Sequence, residues 1–265
     1  MMTKTSNLDD NVVFEHYLTI EGHSSAIYAL TVCKDFIYSS SGDRYIVRWN
    51  KKSGIQDKFT IKFELPAFAI RFIEKTECLV VGLSDGKIHV FDTCSKKEIR
   101  CFNQHRHGIF SIEENKDRNQ IYIGDEEGYL SIWNSLSWNL DMMINLNCGK
   151  IRALHYSQSK KLLFIGKKNG DISIFETEYY NEIKSFKANK DGVSSILFCE
   201  KRNLIASGGN DAHICVFDLE GKIIRSIPAH NYTIYSLIKF STDIYISTSR
   251  DKSVKVWSGF FENVI

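Results

Sequence analysis

Two sets of residues in this chain have the makings of a hydrolytic relay. His23, Ser39 and Asp43 precede Trp49, and His230, Ser247 and Asp251 precede Trp257. A serine activated by a histidine that a carboxylate orients is the constellation of nucleophilic acyl transfer. A catalytic triad has no need of two copies in one chain, so the duplication argues for a structural role. His105-Arg106-His107 looks like half a metal site, but no cysteine or carboxylate stands near it at ligand spacing. Phosphate-binding glycine loops and the nucleophile elbow G-x-S-x-G are absent. The residues therefore name no catalytic group, no metal and no cofactor, and the chain reads as a non-enzyme.

Composition narrows the classes further. The 265 residues are 43% hydrophobic and 25% charged, with a net charge of +2. That balance argues against nucleic acid as a partner on charge alone. The seven cysteines are odd in number and include no C-x-x-C pair, so reduced thiols are expected rather than a disulfide frame or a zinc site. No apolar run reaches the roughly 18 residues of a membrane-spanning helix. Met1 to Asn11 lacks the apolar stretch of a secretory signal, which makes a cytoplasmic location the expectation.

The elements that must position these side chains repeat. Aromatic residues close alternating runs at Trp49, Phe91, Trp133, Phe175, Phe217 and Trp257, with gaps of 42, 42, 42, 42 and 40 residues. Runs such as Tyr45-Ile46-Val47-Arg48-Trp49 and Ser253-Val254-Lys255-Val256-Trp257 have the period of two that marks strands. A turn residue stands six positions before each aromatic: Asp43, Asp85, Glu127, Asn169, Asp211 and Asp251. Asp and Asn suit tight turns because their side chains bond nearby backbone N–H groups. Four strands per repeat of about 42 residues make the blade of a propeller. The expected fold is all-β, a six-bladed β-propeller with four antiparallel strands per blade.

The pattern resembles the WD40-repeat family over residues 14–258. It stands as Gly22-His23, Ser39, Asp43 and Trp49-Asn50 in the first unit, and as Ala229-His230, Ser247, Asp251 and Trp257-Ser258 in the last. The Trp-Asp pair itself never occurs; Phe91-Asp92 and Phe217-Asp218 come closest. The resemblance implies that His, Ser, Asp and Trp form a hydrogen-bonded tetrad inside a blade. On that pattern unit three keeps His105 and Trp133 but has Ile123 and Glu127 for Ser and Asp. Unit five keeps Ser207 and Asp211 with Asn189 and Phe217, and units two and four lose nearly all of it. Intact tetrads in the first and last units suggest that they reinforce the seam where the ring closes.

The chain divides into a polar tail (1–13), blades at about 22–62, 63–104, 105–146, 147–188, 189–228 and 229–258, and a tail at 259–265. Tyr17, Ile20 and His23 repeat the spacing of outer strands such as Ile99, Phe102 and His105. Residues 14–20 are therefore expected to supply the fourth strand of the last blade and remove a free sheet edge. A rival arrangement leaves the ring open as a structural subunit, completed by a partner's strand or blade.

The resemblance also implies that partners dock over the entrance to the central channel. Carried over residue by residue, the exposed positions there include Tyr28, Phe68, Phe110, Lys150, Arg152, Lys168, Tyr235 and Arg250. Aromatic and Arg side chains anchor protein interfaces, and a basic sector suits an acidic or phosphorylated peptide. The reading is a scaffold for a protein or peptide, a monomer by default. Binding of nucleic acid or acidic lipid through the basic sector of blade four is the other alternative.

Overall fold

The computed structural model describes residues 15–265. They form six sheets of four antiparallel strands, each built from consecutive segments of chain. Blade one consists of Ile27–Val32, Phe36–Ser41, Tyr45–Asn50 and Gln56–Lys62. Blade six consists of Ile234–Lys239, Ile244–Ser249, Val254–Ser258 and the short strand Asn263–Val264. The innermost strands of blades two to five are Ala67–Ile73, Ile109–Asn115, Ile151–Ser157 and Val193–Cys199. This is the six-bladed, all-β propeller expected from the repeat.

Each junction between blades is made the same way. The residue that opens an innermost strand drops into a notch in the second strand of the preceding blade. A Cβ on Gly82 would lie 2.4 Å from Ile109 Cγ2, and one on Gly124 2.5 Å from Ile151 Cγ2. Gly166 stands in the same way beneath Val193, and Gly208 beneath Ile234. At the first junction these positions hold Ser40 and Ala67, both buried, so a larger notch residue is matched by a smaller knob. Five apolar clusters result, one for each junction from blades one and two to blades five and six.

The closure expected at the chain ends differs. Residues 15–20 form no strand, and residue 14 lies outside the described residues. Instead Asn263–Val264 pairs with the strand ending at Trp257 and Ser258, completing blade six from its own C-terminal side. Residues 259–265 are thus no tail: Phe260 and Phe261 are fully buried against Tyr245. Local hydrophobic burial by two phenylalanines decides the outer strand, where the spacing argument had pointed to the other end of the chain.

Candidate functional site

All the innermost strands carry a β-bulge at their start. The register skips one residue between Ile27 and Ala29, and at the corresponding place in every other blade. The skipped residues are Tyr28, Phe68, Phe110, Arg152, Ser194 and Tyr235. Five of them are among the site residues expected from the family pattern, and a bulge is a device that can re-aim a side chain. Nothing in the alternation of the strands announces a bulge; only the 42-residue recurrence of the position does.

Four of the expected residues form one continuous run across blades one to four. Tyr28 meets Phe68 edge-on at 5.2 Å, Phe68 stacks on Phe110 at 4.9 Å, and the Lys150 ammonium lies 3.8 Å above the Phe110 ring. Lys150 is also paired to Glu126 at 3.1 Å. It is therefore engaged within the protein and contributes less free positive charge than its sequence position suggested. Tyr28 stays about half exposed, and Phe68 and Phe110 are partly so.

Three more converge on the other side. Arg152, Tyr235 and Arg250 line a pocket of about 520 Å³ with Asp191, Asn210 and Asn231. Asp211 is also at its wall, but its carboxylate accepts from Asn189 Nδ2 and from the backbone N–H groups of Lys190 and His213. Lys168 is exposed next to Gly149 and lines neither the run nor the pocket.

The tetrads are in place in blades one and six. His23 Nδ1 sits 2.8 Å from Asp43 and Nε2 2.7 Å from Ser39, whose hydroxyl receives the Trp49 indole N–H at 2.7 Å. His230, Asp251, Ser247 and Trp257 repeat this at 3.0, 2.7 and 2.9 Å. Ser39 is 2% exposed and Ser247 0%. A buried hydroxyl already engaged by an indole and an imidazole cannot meet a substrate, so neither set acts as a nucleophilic triad.

Blade three corrects the expectation of an eroded unit. His105 contacts Asp125 at 2.7 Å and Ser131 at 2.7 Å, and Trp133 donates to Ser131 at 2.8 Å. The serine has moved to the neighbouring strand and the carboxylate two residues back from the turn. This third tetrad lies far from the chain ends, which removes the idea that tetrads mark the closure seam. Blade five holds a shorter version: Ser207 donates to Asn189 Oδ1 and Asn189 Nδ2 donates to Asp211.

Two arrangements were missed from sequence. Arg48 lies in a slot that is aliphatic in blades two to five, 4.3 Å above the Phe36 ring, with its Nε donating to Asp57 at 2.9 Å. His89, Glu98 and Cys101 bring one ligand atom each within 4.8 Å of one another. His89 Nδ1 is taken up by Glu98 at 2.8 Å, and burial raises the Cys101 thiol above its usual range. Glu98 and Cys101 belong to a strand whose alternation reads as ordinary surface. His105 is a buried tetrad member and His107 an exposed loop residue, so that pair gathers no ligand set. No helix of the described residues is long and apolar enough to cross a membrane.

Known proteins resemble this chain in the same terms. Residues 14–50 and 221–258 match the WD domain, G-beta repeat, and residues 131–201 match the anaphase-promoting complex subunit 4 WD40 domain. A DDB1- and CUL4-associated factor 11 homolog of Caenorhabditis briggsae is 26% identical over 95 residues, 35% of this chain and 16% of that protein. The homolog of Caenorhabditis elegans is 30% identical over 74 residues, 27% of this chain and 13% of that protein. The chain therefore spans only a small part of the length of these relatives. The crystal structure of the computationally designed Ika8 protein superposes with a TM-score of 0.72 at 24% identity, over 93% of this chain and 76% of that one, a likeness of fold. The repeat spacing, the blades it builds and the matches at both ends and in the middle agree, and the chain belongs to the WD40-repeat family of β-propellers.

Proposed function

We propose that this propeller is a non-catalytic scaffold that binds a protein or peptide across the face where its six bulge residues converge. The observation that carries this reading is the pairing of a partly exposed aromatic run with a polar pocket. Tyr28, Phe68 and Phe110 offer flat apolar area, and Arg152 and Arg250 offer charge-assisted hydrogen bonds beside it. Aromatic anchors flanked by Arg suit a peptide that carries an apolar side chain next to an acidic or phosphorylated one. The relatives are named as DDB1- and CUL4-associated factors, and the segment they share with this chain is propeller repeat, which supports protein binding as the class of activity. A cytoplasmic location and one copy of this chain per scaffold complete the proposal.

The test is affinity capture from the native cell with the intact protein and with a Tyr28→Ala, Phe110→Ala, Arg152→Ala variant. The variant is expected to lose the specific partners while keeping its thermal midpoint. Partners retained in full by a folded variant would sink the reading. Strong weakening of binding by salt, with nucleic acid or anionic vesicles as the ligand, would favour the basic-sector alternative instead.

A further inference from the structure

Blade six and blade one do not pack against each other as the other neighbours do. Among the described residues, no apolar cluster spans them, whereas one spans each of the five other junctions. The faces concerned are apolar and stand open. Ile27 is 53% exposed, while its counterparts Ala67, Ile109, Ile151, Val193 and Ile234 are at most 2% exposed. Leu30 is 62% exposed, against buried Ile70, Ile112, Ile196 and Leu237. On the other side Val254 is 65% exposed, against at most 2% for Ile46, Ile88, Leu130, Ile172 and Ile214. Trp49 escapes exposure because Gly22 lies against its ring.

We propose that this gap receives a seventh four-stranded β-blade, brought by another polypeptide. Both faces continue an interface that the molecule repeats five times, so their register states what fits. Ile27 needs a glycine notch in the second strand of the incoming blade, as Ile109 has Gly82. Thr248 occupies the notch position of blade six, where blades two to five have glycine and blade one has Ser40. Ser40 faces the smallest knob, Ala67, so the incoming innermost strand opens with a small residue. Blade two alone among the six combines the two features, Ala67 as knob and Gly82 as notch. The incoming blade therefore has the chemistry of residues 63–104. The gap borders the proposed peptide-binding face, since Tyr28 follows Ile27 in the same strand, but its argument rests on the exposed apolar residues and notches alone.

The experiment adds a copy of residues 63–104 behind Ile265 through a flexible linker. Amide hydrogen exchange over Ile27–Val32 and Val254–Ser258 and the thermal midpoint are then compared with those of the 265-residue protein. Protection of both strands and a midpoint higher by about 5 °C or more are expected. A copy carrying Gly82→Val should protect Val254–Ser258 and leave Ile27–Val32 exchanging. A folded copy, seen by its own amide protection, that leaves both strands exchanging would overturn the proposal.

The 265-residue protein supplies a second reading that needs no added blade. Ile27→Ser should leave its midpoint unchanged, while Ile109→Ser lowers it by about 5 °C or more. Equal losses would show the gap already filled and overturn the proposal. Seam protection that grows with protein concentration would then assign a second copy, and protection lost on deleting residues 1–14 would assign the chain's own N-terminus.

Discussion

Ser131 stands directly across the strand pair from Ile123; its hydroxyl accepts the Trp133 indole N–H at 2.8 Å and lies 2.7 Å from His105 Nε2. Blade one has the reverse, with Ser39 on the second strand and Val47 opposite it on the third. Serine and aliphatic residue have exchanged sides of the ladder, and the network survives because the two positions face the same side of the sheet. His105 and Asp125 are the most buried pair of their kind in the described residues. Asp125→Ala leaves a buried imidazole N–H without an acceptor. It is expected to cost about 1–3 kcal/mol in chemical denaturation, more than Asp43→Ala. Ser131→Ala in that background should add less than its separate cost, since both act in one network.

The notch between blades predicts a compensating pair. Gly82→Ser puts a Cβ on Ile109 and is expected to destabilise by about 1–3 kcal/mol. Ile109→Ala alone also destabilises, by leaving a cavity. Together they recreate the Ser40–Ala67 junction. A double-mutant cycle should therefore show recovery of at least half the summed loss, and simple additivity would refute the knob-and-notch description.

His155 adds a pH dependence. Burial pushes it from 6.5 down to about 4, opposed by Glu200 and assisted by Arg71. Between about pH 4 and 6.5 the unfolded chain binds the proton and the folded chain does not, so stability rises with pH across that window. His155→Gln should flatten the slope of unfolding free energy there, as read by urea titrations at pH 4.5, 5.5 and 6.5. An unchanged slope would assign the titration elsewhere.

The tetrad carboxylates act at lower pH. The Ser253 hydroxyl, the Asn231 and Ser253 N–H groups and His230 hold Asp251 well below the usual carboxylate range, with burial a weaker opposing effect. For Asp43, burial works against ionisation, and the Tyr45 N–H, His23 and the Ser24 N–H outweigh it. Their stabilisation is complete above the unfolded value of 3.8 and is lost as the pH falls through the lower folded values. Asp251→Asn should thus lower the midpoint at pH 7 and narrow the difference from the parent toward pH 2, in thermal melts across that range.

Much of the fold could be read from local chemistry. Trp49, Phe91, Trp133, Phe175, Phe217 and Trp257 mark the blades because strand alternation and turn preference act over a few residues. The two complete tetrads were legible because their four residue types stood at family spacing. Blade three was hidden because its carboxylate and serine moved while their positions in space were kept, and spacing along a chain does not record which positions face each other across a ladder. The bulges at Tyr28 and Phe110 were not legible, since a register shift of one residue leaves no mark on composition or alternation. Lys150 was counted as free charge because its partner, Glu126, sits on a neighbouring blade.

The sequence by itself determined six blades and the succession of four strands in each. Those follow from periodicity and turn residues, which act locally. Only the tertiary structure decided that Phe260 and Phe261 carry the last strand, and that Ile27 and Val254 face a gap. Whether the two ends of an arc meet depends on small rotations summed over five junctions, and no local run of residues encodes that sum.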